Sequence, residues 1–313
     1  MNATIGAAVD LGSNSVHLLV ATVAEHRLDP LVDESVFLGL GHAVDAEGRL
    51  GRTARATLVD ALVHYAEVAR GLGATAITFV GTEPIRRAAD AAAMVGEVEA
   101  ATGVPLHVLT HEEEAYLTVV GVTAGRLVDR ETLIVDIGGG SSEFCVVSPA
   151  VPPRASGLML GSNRLTSRHV TGDPATRLEV EAMIADALSI LDGAPATSPA
   201  EIVAVGGTAS NLLKVVAGPM SDQVLTRDRI AQALAILESE PAEVSAKRHL
   251  IKPVRAHILP AGAAIMDALL TRYGVASIRV SEAGVREGAI LVAEHVGVAW
   301  RDRLPELAHG WRA

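Results

Sequence analysis

Two short segments place an acidic residue, small residues and hydroxyl groups at the same spacing. The first is AAVDLGSNS (residues 7–15) and the second is LIVDIGGGSS (residues 133–142). Each begins as an apolar strand, reaches an aspartate (Asp10 or Asp136), turns through small residues and continues into a second apolar run. A tight turn rich in Gly and Ser can point several backbone N–H groups at one anion, and glycine lets an oxygen approach the backbone closely. The pattern therefore predicts two phosphate-binding turns.

A third glycine loop, VGGTAS at residues 205–210, ends a strand and begins a helix, so the positive end of the helix dipole adds to its attraction for anions. In the first two loops a β-run follows the glycines. This excludes a Rossmann or P-loop motif, in which the loop opens a helix. A hairpin turn that binds nothing is the alternative for each loop alone, and the matched pair favours binding. The first two turns offer backbone amides and side chains at Gly12, Ser13, Asn14 and Ser15, and at Gly138, Gly139, Gly140, Ser141 and Ser142.

The aspartates that end the two apolar strands have two possible roles. Asp10 and Asp136 could each cap a turn, or could hold a divalent cation or water beside a bound phosphate. His17 occupies the position in the first segment that Glu143 occupies in the second. A hydrogen-bonded strand histidine is the favoured reading of His17, and a metal ligand is the alternative.

A run of acids opens a predicted helix at THEEEAYLTVVG, residues 110–121. Thr110 and Glu113 fit a capping box, in which each side chain bonds the backbone of the other residue. Glu112 lies in the first turn, where the helix dipole favours an anion. Glu114 is left without a structural role. It could take a proton from a water that attacks phosphorus, or it could belong to an ordinary solvated helix start.

Basic residues provide further candidates for contact with an anion. Arg86 follows a strand and opens a helix, which favours a phosphate contact over an exposed helix position. The neighbouring Arg87 is expected at the surface. The densest basic stretch, KRHLIKPVRAH at residues 247–257, could be a solvated face or could guide a long polyanion into the protein.

The chain repeats one order of elements. The first half reads as three strands followed by alternating helices and strands, with one helix expected over residues 84–101, and the second half restarts near residue 132. This predicts an N-terminal domain over residues 1–124 and a C-terminal domain over residues 125–313, with a last helix able to pack back on the first domain. The predicted fold is α/β, with two duplicated domains facing across a cleft. It resembles the actin-like (RNase H-like) fold of ATPases and sugar kinases.

Composition narrows the classes of partner. The 313 residues are 49% hydrophobic, which is enough for two cores, and the apolar spans break before the roughly 20 residues that a bilayer requires. A net charge of −11 argues against non-specific nucleic-acid binding, although a local basic groove could still hold an anion. The single cysteine, Cys145, cannot form an internal disulfide and is expected to be inert core. With no signal-peptide pattern, we expect a cytoplasmic protein that binds neither nucleic acid nor membrane.

Five motifs together resemble those of the exopolyphosphatase / guanosine pentaphosphate phosphohydrolase (Ppx/GppA) family, in its short two-domain form. They are AVDLGSNSVHLLVA, GTEPIRRA, EEEAYL, LIVDIGGGSSEF and EAGVREGAI, and the match runs in order from residue 5 to about residue 292. The resemblance implies release of terminal phosphate from polyphosphate, or of the 5′-γ-phosphate from pppGpp, with Mg²⁺ or alternatively Mn²⁺. A homodimer is common among similar proteins.

The resemblance also implies roles for individual residues. Glu114 would be the catalytic base, Asp136 and Glu143 would handle metal and water, and Asp10 is an additional metal candidate. The implied phosphate contacts are Gly12, Ser13, Asn14, Arg86, Gly138, Gly139, Gly140, Ser141, Ser142, Gly206, Gly207, Thr208 and Arg255.

Three positions depart from the family pattern. His111 stands where a glycine is usual, Tyr116 where an arginine is frequent, and His257 where an acid is common. The resemblance to the short members leads us to expect no C-terminal HD domain of the kind that long members carry. The rival hypotheses are an actin-like ATPase or sugar kinase, and a non-catalytic sensor of polyphosphate or an alarmone. The sequence alone does not separate polyphosphate from pppGpp.

Overall fold

The computed structural model describes residues 4–24, 27–216 and 222–311. The chain divides into two units, of which the first contains Met1–Leu127 and Ala283–Ala313 and the second contains Val128–Glu282. The C-terminal segment from Ala283 is thus part of the first unit. Each unit has its own hydrophobic core, built around strand residues such as Val9 in the first and Val135 in the second.

The first unit contains a five-stranded sheet. Its strands are β1 (Thr4–Leu11), β2 (Ser15–Ala24), β3 (Arg27–Phe37), β4 (Ala76–Gly81) and β5 (Leu106–Val108). The strand order is β3-β2-β1-β4-β5; the first three strands pair antiparallel, and the last two run parallel to β1. The central position of β1 explains its nearly continuous apolar sequence. The edge strand β3 is largely exposed and carries Pro30, which cannot donate a ladder hydrogen bond.

The helices of the first unit that precede Leu127 include one that sequence periodicity did not predict. They are α1 (Leu40–Glu47), α2 (Gly51–Gly71), α3 (Glu83–Arg87), α4 (Ala91–Thr102) and α5 (His111–Thr123). Helix α1 is the unpredicted one. Helix α5 begins with the capping box that the sequence predicted: the Thr110 side chain accepts from the Glu113 amide, and the Glu113 side chain accepts from the Thr110 amide.

The single helix expected over residues 84–101 is wrong, because α3 and α4 are separate helices. Ala88 adopts an extended conformation that interrupts the helical path. The carboxylate of Asp90 then accepts hydrogen bonds from the backbone amides of Leu50 and Gly51, at 2.9 and 3.0 Å. The break therefore lets Asp90 satisfy amides at the start of α2, which intrahelical bonds leave unpaired.

The second unit contains a six-stranded sheet. Its strands are β6 (Thr132–Ile137), β7 (Ser142–Val147), β8 (Arg154–Leu158), β9 (Glu201–Val205), β10 (Val224–Thr226) and β11 (Ser277–Val280). Read from β8, the order is β8-β7-β6-β9-β11-β10, so the first five positions repeat the order of the first unit and β10 is added at the edge. The duplicated α/β architecture predicted from the sequence is confirmed.

The helices of the second unit are dominated by one long buried helix. They are α6 (Ser162–His169), α7 (Arg177–Ile190), α8 (Gly207–Val215), α9 (Arg227–Ser239), α10 (Ala242–His249) and α11 (Pro253–Tyr273). Helix α11 is long and apolar enough to cross a membrane, but 72% of its most apolar 18-residue stretch is buried inside the structure. Its composition is therefore that of a core helix.

The C-terminal segment packs against the helix that carries Glu114. It contains α12 (Val285–Val296) and α13 (Leu304–His309). Helix α12 approaches α5 so closely that a Cβ atom at Gly121 would collide with the backbone oxygen of Gly284, and one at Gly288 with that of Leu117. The absence of side chains at Gly121 and Gly288 therefore permits the close packing of α5 against α12. This packing fixes α5 within the first unit.

Candidate functional site

The first glycine turn joins β1 to β2 and is closed by a hydrogen bond from the Gly12 amide to the Ser15 carbonyl, at 3.1 Å. The carbonyl oxygens of Ser13 and Asn14 accept hydrogen bonds at 2.8 and 2.9 Å from backbone amides at the beginning of α1. Asn14 and Ser15 are buried. The carbonyl oxygens of Ser13 and Asn14, which would repel an anion, are thus bonded to amides of the same unit. An anion at this turn would be bound through backbone N–H groups.

The second glycine turn, between β6 and β7, is built in the same way. The Gly138 amide bonds the Ser141 carbonyl at 3.0 Å, at the positions that correspond to Gly12 and Ser15. The amide of Ser162, the first residue of α6, bonds the Gly138 carbonyl at 3.0 Å. The Arg164 side chain also donates through Nε to the Gly140 carbonyl at 3.0 Å. Each turn is therefore held by the start of the short helix that follows the third strand of its unit.

Two of the predicted hydroxyl groups donate to protein atoms. Ser13 Oγ donates to Glu83 Oε2 at 3.1 Å, and Ser142 Oγ donates to the Leu160 carbonyl at 2.6 Å. Ser142 is fully buried. A hydroxyl has one proton to donate, so these contacts stabilise the turns from within.

The aspartates near the ends of the central strands each lie opposite a polar residue of the next strand. Asp10 pairs in register with His17, and Asp136 pairs in register with Glu143. Residues directly opposite each other in an antiparallel pair lie side by side on one face of the sheet. Glu143 is only 2% exposed, so the second unit brings together two carboxylates at a largely buried position. Such a pair favours a nearby cation.

The carboxylates of Asp136 and Glu143 suit some modes of divalent-metal binding and not others. Within residues 4–24, 27–216 and 222–311, no group of three or more His, Cys, Asp or Glu side chains is arranged to hold a metal ion. Mg²⁺ is commonly bound by one or two carboxylates, with water and substrate phosphate completing its shell. Asp136 and Glu143 fit that mode of binding, and Asp10 lies in the other unit.

The third loop lies against both an acid and an arginine of the second unit. Gly206 has a φ of +95°, and a Cβ atom there would lie 2.8 Å from Asp136 Oδ1. A Cβ atom on Gly207 would lie 2.9 Å from Arg255 Nη1. The absence of side chains thus lets the start of α8 approach Asp136 and the guanidinium of Arg255. Thr208, the next residue of α8, is buried.

Glu114 is buried in the first turn of α5 and is held by Arg86. Their side chains are 9% and 18% exposed, and Arg86 Nη1 donates to Glu114 Oε2 at 3.1 Å. The same nitrogen donates to the Leu109 carbonyl at 2.6 Å. Burial distinguishes Glu114 from a solvated helix acid, and the hydrogen bond from Arg86 fixes the position of its carboxylate.

His111 completes the surroundings of Arg86. Its Nδ1 lies 2.9 Å from Arg86 Nη2. A guanidinium has only donors, so His111 Nδ1 must accept, which places the proton of a neutral ring on Nε2. The family departure at this position therefore adds a second acceptor, besides the Leu109 carbonyl, that fixes the guanidinium opposite Glu114.

The neighbouring Glu113 anchors α5 to the C-terminal segment. Arg301 Nε and Nη2 donate to the two carboxylate oxygens of Glu113 at 2.5 and 2.7 Å, and Nη2 also donates to the Val108 carbonyl at 2.8 Å. Burial alone would raise the pKa of Glu113, but the hydrogen bonds from Arg301 and from the Thr110 amide lower it below its ordinary value. This ion pair holds the beginning of the helix that carries Glu114.

Replacing Arg301 by leucine is expected to lower the free energy of unfolding by about 1 kcal/mol at pH 7, because a partly exposed ion pair is screened by solvent. The pKa of Glu113 is depressed in the folded protein, so the pair stabilises above the ordinary value of 4.5. Its contribution is lost as the pH falls through the lower, folded-state pKa. Urea unfolding at pH 7 and pH 3 tests this, with Arg52→Leu, at an exposed position of α2, as the control. If the unfolding free energies of Arg301→Leu and wild type differ by the same amount at both pH values, the ion pair with Glu113 is not the cause.

The sequence did not reveal Glu83 as part of the first turn's support, and it placed Arg87 at the surface. Instead, Arg87 is partly buried; it pairs through Nε with Glu83 and through Nη2 with Asp45, the latter at 2.6 Å. The Glu83–Arg87 pair has the local i,i+4 spacing of one helix. The contacts of Glu83 with Ser13 and of Arg87 with Asp45 join residues 70 and 42 positions apart, so no local pattern reveals them.

Two sheets with the same strand order, each with a glycine turn after its first strand, define a protein of the actin-like class. The chain belongs to the Ppx/GppA phosphatase family, whose model matches residues 19–296. Exopolyphosphatase 1 of Mycobacterium bovis is 30% identical over 304 residues, which cover 90% of this chain and 86% of that protein. The guanosine-5′-triphosphate,3′-diphosphate pyrophosphatase of Vibrio cholerae is 27% identical, over 91% of this chain and 58% of that protein. The crystal structure of the Aquifex aeolicus Ppx/GppA family member has a TM-score of 0.80 at 26% identity, covering 93% of this chain and 97% of that one.

Proposed function

We propose that this chain is an exopolyphosphatase, which hydrolyses the terminal phosphoanhydride bond of inorganic polyphosphate and releases orthophosphate. The observation that carries the proposal is the buried Glu114, held at 3.1 Å by Arg86 at the start of a helix. A carboxylate so placed has no role in the capping box, which Glu113 fills. The 30% identity to a mycobacterial exopolyphosphatase supports the choice of substrate class.

In the first unit, Glu114 would orient a water molecule and accept its proton as the water attacks phosphorus. Arg86 would hold the carboxylate in position and would add positive charge near the transferred phosphoryl group. Phosphoryl transfer depends mainly on positioning and charge neutralisation, so no covalent intermediate is required. The backbone amides of the first turn at residues 13–15 would bind phosphate oxygens, whereas the Gly12 amide is used to close the turn.

In the second unit, the amides of residues 139–142 and of the third loop would bind phosphate, together with Arg255, whereas the Gly138 amide closes the turn. The approach of Arg255 to Gly207 supports this grouping. Asp136 and Glu143 would hold Mg²⁺ or Mn²⁺, with Asp10 as an additional candidate. Bound metal supplies neutralisation of charge on the phosphate oxygens. We also propose that the protein is cytoplasmic and forms a homodimer.

Hydrolysis of the 5′-phosphate of pppGpp is the second candidate function. The identity of 27% to the Vibrio cholerae pyrophosphatase supports it. The chain spans 58% of that relative and 86% of the mycobacterial exopolyphosphatase, which is why polyphosphate is placed first.

A panel of substrates distinguishes these functions. Phosphate release would be measured with polyphosphates of several lengths, pppGpp and ATP, each with and without Mg²⁺, and with ATP plus a sugar. We expect metal-dependent release that is fastest with polyphosphate. Faster release from pppGpp would favour the second candidate. Transfer to the sugar without free phosphate would favour a kinase, and no turnover with any substrate would favour a sensor.

Replacing His111 by alanine is expected to lower kcat about tenfold, because Arg86 loses an acceptor that fixes it against Glu114. His111→Asn should retain most activity, since the asparagine amide oxygen can occupy the place of Nδ1. Steady-state kinetics would be compared with those of His64→Ala, which changes an exposed histidine. Equal rates for wild type and His111→Ala, or equal losses in the alanine and asparagine variants, would contradict the role.

A further inference from the structure

Glu83 is a buried carboxylate that the proposed reaction does not use. It is the first residue of α3 and is 3% exposed. Its Oε2 accepts from Ser13 Oγ at 3.1 Å, and its Oε1 pairs with Arg87 Nε. Both oxygens face donors, which is the arrangement of an ionised carboxylate. Burying a charged carboxylate costs free energy unless it is paired, so the position of Glu83 beside the first turn indicates a specific role.

The contact with Glu83 determines what Ser13 can do. The single hydroxyl proton of Ser13 is donated to Glu83, and ionised phosphate offers mainly acceptors. Ser13 is also enclosed by α1, where a Cβ atom on Gly41 would lie 3.0 Å from the Ser13 Cβ. The Ser13 carbonyl accepts from the Gly41 amide at 2.8 Å. Ser13 is therefore held from two sides by the protein.

The second turn lacks this device. Its closing hydrogen bond runs from Gly138 to Ser141, so the position that corresponds to Ser13 is Gly139, which has no side chain. There Arg164 Nε bonds the Gly140 carbonyl. One turn is thus fixed through a buried acid and the other through an arginine.

Helix α3 is well placed to transmit this restraint. Thr82, which precedes it, donates through Oγ1 to the Leu11 carbonyl at 3.0 Å, at the end of β1. Arg87 at its other end balances the charge of Glu83 and is itself paired with Asp45 at 2.6 Å. The end of β1 and the turn that follows it are therefore both bonded to the beginning of α3.

We propose that Glu83 is a positioning residue, which fixes the first turn through Ser13 so that the backbone amides of the turn, and not the Ser13 hydroxyl, bind phosphate. The inference rests on the proposed function for its ligand class. It assigns Ser13 a supporting role in place of direct contact with the anion.

A double-mutant cycle tests the proposal with Ser13→Ala, Glu83→Met and the double variant. Methionine preserves the approximate shape of Glu83 without an acceptor. The readouts are KM for polyphosphate and the Kd for inorganic phosphate by titration calorimetry, which needs no turnover. Each single variant should weaken both about tenfold, and the double variant should be no weaker than either single one. Additive losses, near a hundredfold, would show that Glu83 does not act through Ser13 and would overturn the proposal.

Amide hydrogen exchange provides a readout that does not depend on any ligand. Both single variants should speed exchange of the Gly12 amide, which closes the turn, by about tenfold. Thr102→Val is the matched control, because it removes another buried hydrogen bond of the first unit, to the Val98 carbonyl at 2.7 Å, away from the turn. Unchanged exchange in Glu83→Met would overturn the positioning role even if phosphate release is observed. If the wild type releases no phosphate, the exchange and calorimetric results still decide the inference.

Discussion

Replacing Glu114 by glutamine is expected to lower kcat by about 10²- to 10⁴-fold, the range that general-base catalysis contributes. Glutamine has the same shape, and its amide oxygen can still accept from Arg86 Nη1. It cannot accept a proton from water. Because the substitution leaves phosphate-binding groups in place, the Kd for inorganic phosphate should change by less than about threefold.

The control for this experiment is Glu112→Gln, which removes an exposed acid two residues earlier in the same helix. It should turn over at the wild-type rate, since Glu112 interacts with the helix dipole and solvent. A Glu114→Gln variant that releases phosphate as fast as wild type would remove the base from the mechanism. A loss of turnover accompanied by an equal loss of phosphate binding would assign Glu114 to binding.

Removing the carboxylates of the second unit should have the next largest effect. Asp136→Asn and Glu143→Gln are each expected to lower kcat by roughly 10²- to 10³-fold, because metal neutralisation of phosphoryl charge is worth several kcal/mol. Both variants should also need a higher Mg²⁺ concentration for half-maximal rate. The two losses should be strongly non-additive, because the side chains are cross-strand partners that would serve one ion.

Titrations of phosphate release against Mg²⁺ and Mn²⁺ measure this effect. Asp129→Asn is the matched control, because Asp129 is exposed and pairs only locally with Arg130. A chelator should abolish turnover of the wild type, and readdition of Mg²⁺ should restore it. An unchanged metal dependence in Asp136→Asn and Glu143→Gln would contradict their assignment as ligands.

The duplicated architecture could be predicted because its evidence is local. An apolar strand, an acid, a glycine turn and a second apolar strand lie within 21 consecutive residues in the first unit (4–24) and 16 in the second (132–147). The capping box of α5 is equally local, since Thr110 and Glu113 are three residues apart. Patterns of this length report the backbone conformation directly.

The missed elements include short helices that begin without a side-chain cap. Helices α1 and α6 have eight residues each and follow Gly39 and Gly161, neither of which offers a capping side chain. Eight residues provide only two turns, too few for a clear helical period. Both helices are nevertheless what holds the glycine turns, because their first amides bond the turn carbonyls.

The sequence named the candidate site residues one by one but not the contacts between them. The capping box left Glu114 as a candidate without a structural role, and the position of Arg86 after a strand made it a candidate phosphate contact. The contact between them spans 28 residues, and the contact of Ser13 with Glu83 spans 70. Such pairings depend on parallel strand order and on the placing of α3, which no local pattern specifies.

The most direct test of the central claim follows oxygen atoms through a single turnover in ¹⁸O-labelled water. If water activated by Glu114 attacks the terminal phosphorus, each orthophosphate released from polyphosphate will carry one ¹⁸O atom. Released phosphate without label, or phosphate found on an added hydroxyl acceptor, would contradict hydrolysis by this site.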